Sequence, residues 1–210
     1  MSPDHFREIA MRTITALFDT YDHAASAVRT LKDAGFSSAD VSLVANNVDG
    51  GIAGDDDATE GAAAGAGVGA LAGGGAGLLA GLGALAIPGI GPVIAGGWLI
   101  ATAVGAVAGA AVGGAAGGLL GALANAGVPE AEAHVYAEGV RRGGTLVSVR
   151  ADDTRADTAA AILNNAAGVD IDRRRTDYVA EGWEGFDEQG AAYSPDQIRD
   201  YRSTYVQPPL

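Results

Sequence analysis

The chain has 210 residues, with 26 acidic side chains against 13 basic ones and a formal net charge of −13. This charge repels phosphate backbones, so we expect no nucleic acid partner. Cysteine is absent, which excludes disulfides, thiolate catalysis and cysteine-ligated metals. The first eleven residues are charged and have no apolar run, so they do not have the pattern of a secretory signal.

The N-terminal part predicts a strand, a helix and a second strand. Residues 12–19 alternate and are rich in strand-forming side chains. Asp19 or Thr20 can cap the helix that follows. A second strand is predicted at residues 41–45, and a polar, glycine- and aspartate-rich connector at residues 46–60 leads into the centre of the chain.

The centre of the chain has no charged side chain from residue 61 to residue 129, and glycine recurs there every fourth residue in two series. Residues four apart lie on one helix face, so each series predicts a helix with a bare stripe for close packing. We therefore predict a glycine-zipper helical hairpin inserted at residues 61–127. Its helix-packing residues are Gly61, Gly65, Gly69, Gly73, Gly77, Gly81, Gly105, Gly109, Gly113, Gly117 and Gly121. Its bend consists of Pro88, Gly89, Gly91 and Pro92.

Such a hairpin needs shelter from water. Each interior glycine disfavours a helix by about 1 kcal/mol relative to alanine, and the arms contain many. An arm at residues 61–87 would be about 40 Å long, enough for a bilayer core that needs about 20 residues. The apolar bend indicates that the tip is itself buried, in lipid or in a partner chain. We expect a membrane-embedded hairpin; the alternatives are a hairpin buried in a homo-oligomer and one packed only within its own chain.

The chain after the hairpin again alternates between helix and strand. The predicted elements are a helix at 130–142, a strand at 145–150, a helix at 153–166 and a strand at 169–172. Without the insertion and the helix at 130–142, the order is strand, helix, strand, twice. This order predicts an α+β fold, a split βαβ ferredoxin-like sandwich with helices on one face of an antiparallel sheet. The domain would be discontinuous, at residues 12–50 and 128–176.

The C-terminal residues 177–210 contain six of the twelve aromatic side chains. Disordered segments are usually poor in aromatics, so we expect this segment to dock on its own domain or on a neighbouring subunit. Ser194 followed by Pro195 predicts a helix start, with the serine as the cap.

Four stretches carry a family resemblance over about residues 12–175. They are TALFD at 15–19, DVSLVA at 40–45, LLAGLGALAIPGIGP at 78–92, and residues 127–144 with the strand after them. In these stretches the chain resembles the bacterial general stress proteins of the 17M-like type. The resemblance implies a stress-associated role and a glycine-rich insertion in a small α/β domain. It supplies no catalytic residues.

No residue pattern predicts a cofactor, a metal site or an enzyme. His5, His23 and His134 lack the spacing of a metal site. The glycines at 65–69 do not follow a strand, as a phosphate loop requires, and the aspartates at 55–57 lack the spaced ligands of a calcium loop.

We therefore expect a non-enzymatic general stress protein that self-associates through the hairpin. The expected location is the inner membrane, with the acidic α/β domain in the cytoplasm, and a cytoplasmic location is the alternative. Two other functions remain open, a soluble homo-oligomer with a shared buried core and a small-effector sensory module.

Overall fold

The computed structural model describes residues 11–50, 52, 82–102 and 118–206 and shows an α+β fold. The strands of its antiparallel sheet are β1 (Met11–Phe18), β2 (Val41–Asn46), β3 (Gly83–Ile87), β4 (Gly91–Gly96) and β5 (Thr145–Asp152). The helices with described bounds are α1 (Tyr21–Asp33), α2 (Gly118–Asn125), α3 (Glu130–Arg141), α4 (Ala156–Asn165), α5 (Ile171–Ala180) and α6 (Pro195–Tyr205). Residues 98–102 are also helical.

The order of strands across the sheet is β1-β5-β2-β4-β3. β5 is antiparallel to both β1 and β2, so β1 and β2 run parallel to each other, with β5 between them and α1 connecting them. The predictions of β1, α1, β2, α3, β5 and α4 are confirmed. α1 begins where its sequence indicates, because the Thr20 side chain accepts a hydrogen bond from His23 N.

Helices cover both faces of the sheet. Along β5, Val147 and Val149 pack with α1 and α4, on what we call the α1 face. Leu146 points the other way and packs with α2 and α3, on the α3 face. The prediction of helices on one face only is therefore wrong. The alternating apolar residues of the central strands give the sheet a second face to bury, and the chain between β2 and β5 supplies helices for it.

The prediction of helical arms is wrong for residues 83–87 and 93–96, which lie in the strands of the β3–β4 hairpin. β4 pairs with β2 (Asn47 N donates to Pro92 O at 2.9 Å), so this stretch belongs to the sheet. The recurrence of glycine at every fourth residue is interrupted here, between residues 81 and 105. The chain does reverse at Pro88, but between two strands. Gly89 in the turn has φ +74° and Gly91 has φ +96°, values that favour glycine.

Most of the proposed helix-packing glycines lie outside the described residues. They are Gly61, Gly65, Gly69, Gly73, Gly77, Gly81, Gly105, Gly109, Gly113 and Gly117. Gly121 is buried in α2. Among the helices that the structure describes, none is both long and apolar enough to cross a bilayer.

The predicted strand at 169–172 is also wrong. Val169 N donates to Leu17 O at 2.8 Å, so the segment meets the edge of β1 at one residue. The chain then turns into α5, because the Asp170 side chain caps that helix by accepting from Arg173 N. A local cap thus outweighs a short alternating pattern.

Candidate functional site

Among the described residues, the buried charged side chains of Glu138, Arg142 and Arg174 lie where the C-terminal segment, residues 182–206, docks on the domain. We call this contact the seam, and its residues are Asp19, Glu138, Arg142, Arg174, Tyr178, Glu181, Tyr201 and Tyr205. The segment docks on its own domain, one of the two alternatives that its aromatic content predicted. The helix start at Ser194 is confirmed, with Ser194 and Gln197 forming a reciprocal capping box.

Arg142 forms the first half of the seam. Its side chain is 7% exposed, and its Nε donates to Glu138 Oε1 at 2.7 Å while Nη1 pairs with Glu181. The guanidinium stacks over the Tyr178 ring, 4.2 Å from the centroid. Burial by itself lowers the pKa of Arg142, but the hydrogen bonds to Glu138 and Glu181, together with the negative charge of Glu138, raise the pKa overall. Arg142 therefore stays charged and joins α3 to the end of α5.

Arg174 forms the second half. Its Nη1 and Nη2 donate to the two carboxylate oxygens of Asp19 at 2.8 and 3.0 Å, a bidentate pair. Nη1 also donates to the Tyr201 hydroxyl at 2.9 Å, and the guanidinium lies 3.9 Å from the centroid of Tyr205. Tyr201 in turn donates to the Tyr178 hydroxyl at 2.8 Å. This network ties β1, α5 and α6 together.

The seam tyrosines are held in the neutral state. Burial raises the pKa of Tyr178 to about 12, against the opposing effects of its hydrogen bond to Tyr201 and of the nearby Arg174. Burial also raises the pKa of Tyr201. Both hydroxyls therefore keep their protons at physiological pH and can serve as hydrogen-bond donors within the seam.

The C-terminal segment also covers the turn between β3 and β4. Phe186 is buried, and its backbone N donates to His134 Nδ1 at 3.0 Å. The approach to the turn is close, since a Cβ added to Gly89 would lie 2.6 Å from Asp187 O. Ile90, at the tip, is fully buried in the α3-face cluster. The shelter for the apolar bend therefore comes from the same chain, not from lipid or a partner as its composition indicated.

The docking is completed by arginines that reach backbone carbonyls. Arg202 donates to Gly143 O from Nε at 3.2 Å and from Nη2 at 2.9 Å, and it pairs with Asp49. Arg141 Nη2 donates to Ala191 O at 3.0 Å. These contacts fix the segment both before α6 and along α6.

Two clefts adjoin these elements. One, of about 410 Å³, lies beside Arg174 between the start of α5 and Tyr205, and it also has Arg173, Asp170 and Asp177 in its wall. The other, of about 230 Å³, lies along the outer edge of β1 and is lined by residues of α3 and α4. In the first cleft the acidic side chains outnumber the basic ones.

One carboxylate oxygen of the C-terminal segment has no hydrogen-bond partner among the described residues. Glu188 Oε1 is buried and accepts no hydrogen bond from the described residues. Burial raises the pKa of Glu188, and His134 opposes that shift. His134 is half-buried and hydrogen-bonded, His23 is exposed, and His5 lies outside the described residues.

The described part of the chain contains no group of three or more His, Cys, Asp or Glu side chains that could hold a metal ion. Of the proposed bend residues, Pro88, Gly89, Gly91 and Pro92 lie together at the β3–β4 turn. Sequence reasoning missed the charged residues of the seam, because they are scattered along the chain from residue 19 to residue 181. The aromatic enrichment of the C-terminal part was the signal that pointed to this region.

Comparisons of the chain with family models, with curated proteins and with solved structures gave no match.

Proposed function

We propose that this chain is a non-enzymatic stress protein that self-associates as a soluble homo-oligomer through its glycine-rich segments. These segments are residues 53–81 and 103–117, which contain most of the glycine series. The second segment has no charged side chain, and the first has acidic side chains only near its start, at residues 55–60. The folded domain acts as an anchor that holds both ends of each segment.

The observation that carries the proposal is where the segments begin and end. Ile52 and Leu82, on either side of the first segment, both pack against the apolar cluster of the α1 face. Ile100 and Leu119, on either side of the second, both belong to the cluster of the α3 face. The described residues on either side of each segment therefore lie on the same face of the domain.

This arrangement favours contacts between copies over a membrane crossing. A segment that returns to the same domain must cross a bilayer an even number of times, and two passes need about 40 residues. The segments have 29 and 15 residues. Between copies, the glycine stripes can pack closely, because residues without side chains let two backbones approach.

Two further observations support the rest of the proposal. The resemblance to general stress proteins of the 17M-like type continues to support a stress-associated role. The β1–α1–β2 unit with β5 between its strands supports a variant of the split βαβ, ferredoxin-like plan. In this variant α5 replaces the fourth strand, and β3 and β4 extend the sheet.

A small-effector sensory module has weaker support. The seam does bring polar side chains together, which a sensor would need. However, Arg142 pairs with Glu138 and Glu181, and Arg174 pairs with Asp19. An effector would have to displace these partners.

The test is the mass of the full chain in buffer, with and without detergent, before and after Gly69, Gly73, Gly109 and Gly113 are all replaced by leucine. We expect a particle larger than a monomer in the supernatant without detergent, and a smaller particle for the leucine variant. The matched control replaces the same four glycines with alanine, which keeps the stripe narrow and should preserve the mass. An unchanged mass in the leucine variant would refute contacts through the glycines. A protein that needs detergent to leave the pellet would favour the membrane alternative.

A further inference from the structure

The two edge strands of the sheet, β1 and β3, differ in how many of their outward backbone groups form hydrogen bonds. On the outer edge of β1, Thr15 O accepts from the Tyr136 hydroxyl and Leu17 O accepts from Val169 N. On the outer edge of β3, no described residue forms a hydrogen bond with the outward backbone groups. Ala84 and Ala86 are exposed, and a Cβ added to Gly83 would meet nothing within 4 Å. Within the part of the chain that the structure describes, β3 is therefore an open edge.

The neighbouring strand shows which groups of β3 point outward. Pro92 O on β4 accepts from Asn47 N, next to β2, so Pro92 directs its backbone away from β3. Its partner on β3 is Ala86. In an antiparallel ladder such a pair is not hydrogen-bonded, and both residues direct their N–H and C=O groups away from each other. Ala86, and by alternation Ala84, thus offer a free donor and a free acceptor at the edge.

We propose that β3 pairs with β3 of a second copy of this chain, antiparallel and about a two-fold axis at Leu85. This register places Ala84 opposite Ala86 of the second copy, and Ala86 opposite its Ala84. Each of these pairs exchanges two N–H···O=C bonds, so all outward groups of the two alanines are satisfied. The two five-stranded sheets become one continuous antiparallel sheet.

Three features of the edge fit a second copy as its partner. The outward residues are two apart and identical, so a two-fold axis pairs them without a mismatch. Residues 82–102 have no charged side chain, so the paired strands themselves bring no like charges of this acidic chain together. Finally, β3 has no charged residue, proline or bulge inside Gly83–Ile87, the features by which natural proteins block edge pairing.

The size of the contact predicts a weak dimer. The strand has 5 residues, so the pairing buries less than the about 1,200 Å² of a stable specific interface. The side chain of Leu85, which is half-buried against the α3-face cluster, gains a contact with its symmetry mate across the non-hydrogen-bonded pair. Dimer formation should therefore depend on protein concentration.

The first test replaces Ala86 with proline in the full chain. This removes one outward N–H per copy and no hydrogen bond inside the sheet, because Ala86 N does not face β4. We expect sedimentation equilibrium to show a dimer Kd weakened by at least about tenfold. The matched control is Thr13→Pro, which changes an outward-facing residue on the opposite edge and should leave the Kd unchanged.

The second test does not depend on how proline affects folding. Because the chain has no cysteine, Leu85→Cys introduces a single thiol that the proposed axis places directly opposite its mate. We expect this variant to form a disulfide-linked dimer under mild oxidation. Met11→Cys, on the exposed start of β1, is the control and should link more slowly. Equal linking rates, or an unchanged Kd for Ala86→Pro, would overturn the proposal.

The β3 pairing and the proposed function both name a second copy of this chain as the partner, but they use different contacts. Either one can therefore fail without the other. Contacts through the glycine-rich segments are removed by the four leucine substitutions, and contacts through β3 are removed by Ala86→Pro. If only the first contact exists, Ala86→Pro leaves the assembly mass unchanged and overturns the β3 pairing. If only the second exists, the leucine variant remains a dimer that Ala86→Pro dissociates.

Discussion

The pair between Asp19 and Arg174 provides the sharpest test of how the C-terminal segment is held. Asp19→Asn keeps the size of the side chain but removes the negative charge. The amide nitrogen of the new side chain would then face one of the two Arg174 donors, so one of the two hydrogen bonds is lost. Arg174 would remain beneath Tyr201 and Tyr205 without a counter-charge.

The magnitude follows from the burial of the two partners. Breaking a buried ion pair by removing one partner costs about 3–5 kcal/mol, because a buried charge is left uncompensated. The Arg174 side chain is 6% exposed, but that of Asp19 is 23% exposed, so water can reach part of the gap. We therefore expect the free energy of unfolding to fall by about 2–3 kcal/mol.

Urea unfolding followed by circular dichroism measures this change, with Asp153→Asn as the control. Asp153 is exposed in the turn before α4, so its substitution should change the free energy of unfolding by less than about 0.5 kcal/mol. A double variant with Arg174→Met should lose less stability than the sum of the two single changes, since it leaves no unpaired charge. If Asp19→Asn matched the control, the pair would not hold the segment and the reasoning would be refuted.

Two further predictions concern Glu188 and Gly139. Burial raises the pKa of Glu188 in the folded state, so its contribution to stability is full at low pH and is lost as pH rises through the folded pKa. Glu188→Gln should therefore raise the free energy of unfolding at pH 7 by up to about 1 kcal/mol, with a gain that disappears in acid; an equal gain from the exposed Glu184→Gln would contradict this. Gly139 lies so close to β1 that an added Cβ would be 2.3 Å from Leu17 Cδ2, so Gly139→Ala should cost about 1–3 kcal/mol by thermal unfolding. The double variant with Gly139→Ala and Leu17→Ala should lose less stability than the sum of the losses in the two single variants. If the two losses add fully, the clash is absent.

Local signals determined much of the fold. The alternation in 12–19 and 145–150, the cap at Thr20 and the capping box at Ser194 each act within a few residues, so the sequence around them was sufficient to predict their elements. The same kind of signal was present at Asp170, where a capping aspartate begins α5. The four alternating residues at 169–172 predict a strand, but the cap begins a helix there.

Non-local pairing explains the larger error. In residues 83–96 the composition is compatible with either a helix or a strand, and the glycine repeats on both sides favoured a helix. The hydrogen bonds that make this stretch a strand join residues far apart in the chain, such as the bond from Asn47 N to Pro92 O. No local sequence pattern shows that β2 has an edge with which β4 can pair.

The sequence by itself determined that this is an acidic α+β protein without cysteine, with two glycine series and an aromatic C-terminal part. Only the tertiary structure decided that the apolar bend is a β-turn, that the C-terminal segment covers it, and that Arg142 and Arg174 hold that segment. The physical reason is range: helix caps and periodicity act over a few residues, whereas strand partners and buried ion pairs are chosen by the folded chain as a whole.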